Sequence, residues 1–182
     1  GRHIVRALAR RGYRIRVACR RPDLAGHLQP LGNVGQIMMV QGNVRYPASL
    51  AAACEGSYAV INLPAVLHSS GAQSFEALHV FGAEAAAKAA KAAKARMFIQ
   101  MSAIGADANS SSEYARTKAE GEKRVRAAFP GATIMRPSIV FGPEDDFFNR
   151  FAQMARFMPF LPLVGGGETK FQPVFAGDVA EA

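Results

Sequence analysis

The sequence predicts an α/β domain built on a doubly wound parallel sheet, and two features of the chain predict it. Helical and strand patterns alternate in strict succession as far as about residue 136, and the strand patterns are short, apolar and without polar alternation. Strands of that kind belong to a parallel sheet with helices on both faces, because both faces of each strand are lost to the core. With 182 residues, 49% of them hydrophobic and 20% charged, the chain has enough apolar material to bury such a core.

Each element has a local reason. Across residues 2–11, Ile4, Val5, Leu8 and Ala9 keep helical spacing with Arg2, Arg6 and Arg10 opposite, and Gly12 ends the helix. Residues 13–18 read as a strand, Arg20, Arg21 and Pro22 as a loop, 24–31 as a short helical stretch and 36–40 as a second strand. A helix follows Pro47, a strand covers 58–63, and a long helix with an alanine-rich core side covers about 74–95. Residues 96–101 form a strand, 113–129 a helix and 132–136 a strand entering the turn Arg136, Pro137, Ser138. After Phe147 the texture changes to phenylalanines, prolines and the run Gly165, Gly166, Gly167. The expected organisation is a doubly wound domain over residues 1–146 and the start of a substrate lobe over 147–182. Because the pattern opens inside a helix start and closes in mid-pattern, the chain is expected to be cut at both ends and the domain to lack its first strand.

Location decides what the net charge of +8 means. Eight arginines fall within residues 1–22 with no acid among them, and the rest of the chain balances at 14 basic against 14 acidic residues. A basic patch confined to one helix and one strand suits an anionic small molecule or an acidic protein surface. It lacks the aromatic interleaving of single-strand binders, so nucleic acid is not an expected partner. No apolar stretch approaches the roughly 18 residues of a membrane-spanning helix, so no transmembrane segment is expected. Cys19 and Cys54 read as buried free thiols, and His3, His27, His68 and His79 stand at no ligand spacing, so no metal site is expected.

In a doubly wound sheet a dinucleotide lies over the carboxyl ends of the strands, with its pyrophosphate at the N-terminus of the first helix. Gly1 opens that helix and reads as the last glycine of a phosphate-binding turn. Arg20 and Arg21 follow the first readable strand, at the place where an acid would bind the ribose of NAD and a base the extra phosphate of NADP. No acid stands there, Asp23 coming late, so NADP(H) is preferred and NAD(H) remains possible. Asn43 and Val44 end the next strand near the expected adenine, Asn62, Leu63 and Pro64 end the one after, and Pro137 follows the strand at 132–136. Tyr114 and Lys118, four apart on a helix, share one face. An ammonium beside a phenol is expected to lower the tyrosine pKa toward neutrality, fitting it for acid–base work while the lysine holds the nicotinamide ribose. Ser102 closes the preceding strand, where a third catalytic group is expected.

These residues carry a resemblance. The stretches Leu31–Gly32–Asn33–Val34–Gly35–Gln36, Val60–Ile61–Asn62–Leu63, Phe98 to Ser102, Ser110 to Lys118 with Gly121, Glu122 and Lys123, Phe141–Gly142, Gln172–Pro173–Val174 and Asp178–Val179 resemble the extended or atypical short-chain dehydrogenase/reductase superfamily, which includes nucleotide-sugar epimerases. More closely, the chain resembles the NAD(P)H-binding accessory subunits of respiratory complex I and their bacterial relatives. The resemblance implies a Rossmann fold, cofactor contacts at Gly1, Arg20, Asn43, Asn62, Tyr114 and Lys118, and a catalytic set of Tyr114, Lys118 and Ser102. It also implies complex I subunits as partners. The implied location is the bacterial cytoplasm or inner-membrane periphery, or the matrix side of a mitochondrion. Two departures, Ala103 beside Ser102 and Pro64 beside the nicotinamide, favour a nucleotide held structurally over turnover. The alternative is an active NAD(P)-dependent epimerase, dehydratase or reductase with Tyr114 as acid and base, and a third reading is a scaffold that binds no nucleotide.

Overall fold

The computed structural model describes residues 1–158, 160, 166, 168 and 170–182. The chain forms two compact units, Gly1–Arg136 and Pro137–Ala182.

The first unit opens with helix α1 (Arg2–Arg10), which leads into strand β1 (Ile15–Cys19). The helix ends because Gly12 takes φ of +81°. That turn lets the Tyr13 N–H reach the Leu8 carbonyl at 3.1 Å and the Gly12 N–H reach the Ala9 carbonyl at 3.0 Å, which satisfies two carbonyls at the helix end. Two 3₁₀ turns (Pro22–Leu24 and Gly26–Leu31) take the place of the expected short helix before β2 (Ile37–Gln41), with Pro30 inside the second. Strand β1 pairs in parallel with β2, Ile15 against Ile37 through Cys19 against Gln41. Val5, Ala9 and Ile37 bury a small core there, with Ile15, Val17 and Met39 packed on it. Along β1 exposed and half-buried positions alternate, where the sequence suggested two covered faces.

Helix α2 (Pro47–Cys54) starts with proline at its first position, where a missing N–H costs nothing. Arg16 on β1 closes its other end, Nη1 donating to the carbonyls of Ala53 at 2.8 Å and Glu55 at 2.7 Å. Strands β3 (Ala59–Asn62), β4 (Met97–Met101) and β5 (Thr133–Met135) form a second parallel sheet in that order, with Asn62 opposite Gln100 and Gln100 opposite Ile134. The main core lies between this sheet and its helices: Phe98 and Val125 are almost wholly buried with Ala83, Ala87 and Ala90 of α3 (Ala83–Ala92). Alanine at those positions lets α3 lie close to its neighbours.

The long helix expected over 74–95 is interrupted in kind. Its first part, Glu76–Gly82, is π-helical, and only from Ala83 does it wind as an α-helix. Leu78, His79, Val80 and Gly82 are buried in this segment, a wider buried arc than one α-helical face provides. Helix α4 (Glu113–Ala128) begins at Ser112, whose Oγ accepts the Ala115 N–H at 3.5 Å, and it crosses the π segment at Gly121. A Cβ on Gly121 would overlap the His79 carbonyl oxygen, so this crossing requires glycine.

Within the second unit, β6 (Val140–Phe141) pairs in parallel with β7 (Val174–Phe175), followed by α6 (Ala176–Glu181). Asp145 receives the Phe148 and Asn149 N–H groups at the start of α5 (Phe148–Phe157), and Phe147 meets Phe148, Phe151 and Phe171 edge to face. Of the Gly165–Gly167 run, Gly165 and Gly167 lie outside the described residues. Among the described residues no helix is long and apolar enough to cross a membrane. Cys19 and Cys54 are free thiols, Cys54 buried and Cys19 half-buried.

Candidate functional site

The helical spacing of Tyr114 and Lys118 does bring them together. Lys118 Nζ lies 5.8 Å from the centre of the Tyr114 ring, and the lysine is only 4% exposed, its ammonium donating to the Met101 carbonyl at 3.4 Å. Burial pulls the Lys118 pKa down to about 8, partly opposed by the Glu122 carboxylate. The expected lowering of the tyrosine pKa is overturned. Burial raises the Tyr114 phenol above its usual value, because desolvation disfavours the phenolate.

Around Tyr114 stand two side chains that the spacing of single residues did not reveal. Phe75 and His79 stack at 5.4 Å between centroids, and Tyr114 meets their rings edge to face, at 5.9 Å and 5.3 Å. His79 is 3% exposed. The Val66 N–H donates to its Nε2 at 3.2 Å, which assigns the proton to Nδ1, and Nδ1 donates to Thr117 Oγ1 at 3.2 Å. Burial, with the Lys118 charge, pulls the imidazole down to about 4, so it is neutral at physiological pH. His79 thereby ties three pieces of chain together: the loop after β3, the π segment and α4.

Ser102 is engaged elsewhere. Its Oγ donates to Glu122 at 2.5 Å, and Glu122, with a side chain 2% exposed, also receives Arg136 in a two-pronged pair at 2.8 and 2.6 Å. Burial alone would raise this carboxyl, but the bonds from Arg136 and Ser102 and the charges of Arg136 and Arg126 hold it below the usual carboxylate range. Asn62 is buried, its Nδ2 donating to Gln100 Oε1 at 2.8 Å across the strand pair.

The remaining expected residues spread from this cluster. Gly1 caps α1 and lies against Leu63, where a Cβ would meet Leu63 Cδ1 at an ordinary 3.6 Å. Pro64, next along, is exposed. Asn43 Oδ1 accepts the Arg45 N–H at 3.1 Å, and Val44 is part of the main core, against Gly82. Arg20 is exposed at the end of β1, and Arg21 pairs with Asp23 at 2.7 Å in an exposed ion pair of little energetic weight. Pro137 opens the second unit.

The first unit therefore offers a dinucleotide a helix N-terminus beside the end of β3, polar side chains at the strand ends and a buried ammonium, which suits a phosphate- and hydroxyl-bearing ligand. Residues 1–146 match the model of a family described as NAD(P)H-binding. The chain belongs to this NAD(P)H-binding family. As a member, it is 39% identical over its whole length to the mitochondrial NADH dehydrogenase [ubiquinone] 1 alpha subcomplex subunit 9 of Arabidopsis thaliana, and 38% identical to that of Mus musculus. It is 37% identical over 90% of its length to the ceramide reductase of Caulobacter vibrioides. The chain spans about half of these relatives, 46%, 48% and 50% of their lengths. Among solved structures, a Streptomyces venezuelae dTDP-glucose 4,6-dehydratase with NAD bound aligns over 86% of this NAD(P)H-binding chain and 56% of its own, with a TM-score of 0.71 at 22% identity. Likeness at that identity establishes the doubly wound fold.

Proposed function

We propose that this NAD(P)H-binding protein holds NADP(H), or NAD(H), as a bound structural nucleotide in an accessory subunit of the complex I type. The observation that carries the reading is the match to mitochondrial complex I subunits along the whole chain. The site supports binding over turnover. The Ser102 hydroxyl is committed to Glu122, and the Tyr114 phenol is made a weaker acid by burial. In this reading Lys118 holds the nicotinamide ribose hydroxyls and Arg20 meets the additional phosphate. Asn43 and Val44 border the adenine, while Gly1, Asn62, Leu63 and Pro64 border the pyrophosphate and nicotinamide. When bound, the nucleotide would supply a hydride donor or acceptor. The partners would be complex I subunits, at the matrix side of a mitochondrial inner membrane or its bacterial counterpart.

The full-length protein is expected to purify with nucleotide and to gain thermal stability with added NADPH more than with NADH, as linkage requires. A nucleotide-free preparation with no melting shift at millimolar NADPH would overturn the proposal. The ceramide reductase relative favours a second reading, a reductase in which Tyr114 exchanges the proton. Under it Tyr114→Phe would abolish turnover of a carbonyl substrate while sparing nucleotide binding.

A further inference from the structure

The stretch Leu31–Gln36 is a recognisable motif of this chain, yet it lies at the amino ends of β1 and β2, away from the strand ends where a nucleotide is bound. What it does in the structure is fix a surface. Gln36, 9% exposed, donates from Nε2 to the Ala9 carbonyl at 2.8 Å and the Tyr13 carbonyl at 2.9 Å, and its Oε1 accepts the Asn33 N–H at 2.8 Å. Gly32 packs beneath, where a Cβ would meet Gln36 Oε1 at 2.7 Å and Ala9 Cβ at 3.2 Å. The loop 33–35 and the turn 11–14 are thus held side by side. There Tyr13 (57% exposed), Arg14 and Val34 (106% exposed) are open to solvent, as is Arg10 at the end of α1.

We infer that this surface docks an acidic protein, its carboxylates meeting the arginines around an apolar contact made by Tyr13 and Val34. Charge complementarity carries the choice of partner. The segments that form it, residues 10–14 and 31–36, contain no acid and no lysine beside Arg10 and Arg14, whereas the exposed face of α3 carries Lys88 and Lys91. A guanidinium binds a carboxylate through two parallel N–H donors, which an ammonium cannot do, and Arg and Tyr are enriched in protein interfaces where Lys is depleted. A bilayer would take Lys as readily as Arg and would need an apolar helix face, but α1 turns Val5, Ala7 and Ala9 into the core. The pinned turn and loop also lose little freedom on binding. The surface stands about 14 Å, the length of the nine-residue α1, from Gly1, so it is independent of the nucleotide reading.

The test uses the full-length protein with a fluorescent Glu- and Leu-rich peptide as probe, read by anisotropy, and vesicles of phosphatidylglycerol and phosphatidylcholine as a second arm. Wild type is expected to bind the peptide in a salt-dependent way and to stay in solution with the vesicles. Arg10→Glu with Arg14→Glu should weaken peptide binding about a hundredfold. Arg10→Lys with Arg14→Lys, which keeps the charge, and Val34→Ser, which keeps the arginines, should each weaken it several-fold. Lys91→Glu with Lys123→Glu, on other exposed faces, should change it less than twofold, and the melting temperature should be unchanged throughout. Equal affinity in the Arg→Glu variant, an equal loss in the Lys→Glu variant, full affinity in the Arg→Lys and Val34→Ser variants, or retention by vesicles without peptide binding would each overturn the inference.

Discussion

Replacing Lys118 by methionine should make the nucleotide-free protein more stable while removing its response to nucleotide. Lys118 is 4% exposed, and burial lowers its pKa from 10.5 to about 8. A drop of that size corresponds to about 3 kcal/mol charged against the folded state below pH 8, at 1.36 kcal/mol per pKa unit. Methionine keeps the length of the side chain without the charge. Its cost is small, since the Met101 carbonyl still accepts Gln100 Nε2 at 3.0 Å and Glu122 keeps Arg136. A net gain of about 2 kcal/mol is expected, which for a chain of this size raises the melting temperature by roughly 4–8 °C. The pH dependence gives a second reading of the same quantity. Between pH 8 and 10.5 the unfolded chain holds a proton that the folded one has released, so wild-type stability rises with pH through that window. The Lys118→Met protein should lack this rise. Calorimetry with and without NADPH decides it: a lower melting temperature in the variant, or an intact NADPH shift, would refute the claim that a desolvated charge is held in place for a ligand.

Gly121→Ala should cost at least about 2 kcal/mol in urea unfolding, because the new methyl meets the His79 backbone carbonyl and cannot be relieved by a side-chain rotation. Glu122→Gln should cost about 1–2 kcal/mol by weakening the charge-assisted bonds from Arg136 and Ser102, since the Arg136 side chain is 45% exposed and can turn to water. The folded carboxyl lies below its ordinary 4.5, so wild type should lose this stabilisation as pH falls below 4.5 while the variant shows a shallower acid limb. His79, lowered from 6.5 to about 4, contributes stability that is complete above pH 6.5 and fades as the pH falls toward 4. In His79→Phe, chemical denaturation across that range should show a flatter profile, and an unchanged profile would contradict a buried neutral imidazole.

The periodic features were legible in the sequence and the tertiary ones were not. Alternation of helix and strand located β1 to β5 within a residue or two, and Gly12 marked the end of α1 because only a residue at ease with positive φ could turn there. The π segment escaped notice because it shares the alanine- and leucine-rich pattern of the helix it precedes, and its winding answers to α4 crossing at Gly121. His79 read as one of four scattered histidines; its partners Val66 and Thr117 are distant in sequence, and the only local signal was Phe75 four residues before it. Glu122 had a comparable signal, standing four residues after Lys118 on the same helix face.

The sign of the Tyr114 shift shows why a motif is weaker evidence than the site it sits in. Four-residue spacing guarantees a shared face, and by Coulomb's law alone a neighbouring ammonium stabilises a phenolate. Which effect prevails depends on where the ammonium points and how much water both groups lose, and neither is written in the spacing. Here Nζ turns over the ring toward the Met101 carbonyl, and burial disfavours the charged form of both partners at once, raising the phenol and lowering the ammonium. A proton-transfer pair needs those two values to converge for a different reason, with the phenolate stabilised by a facing charge. A pair desolvated in this way is instead suited to receive hydrogen-bond acceptors, because each hydroxyl oxygen brought to Lys118 restores solvation that folding removed. The same motif thus supports ligand binding by its burial while the geometry of its ammonium argues against an activated tyrosine.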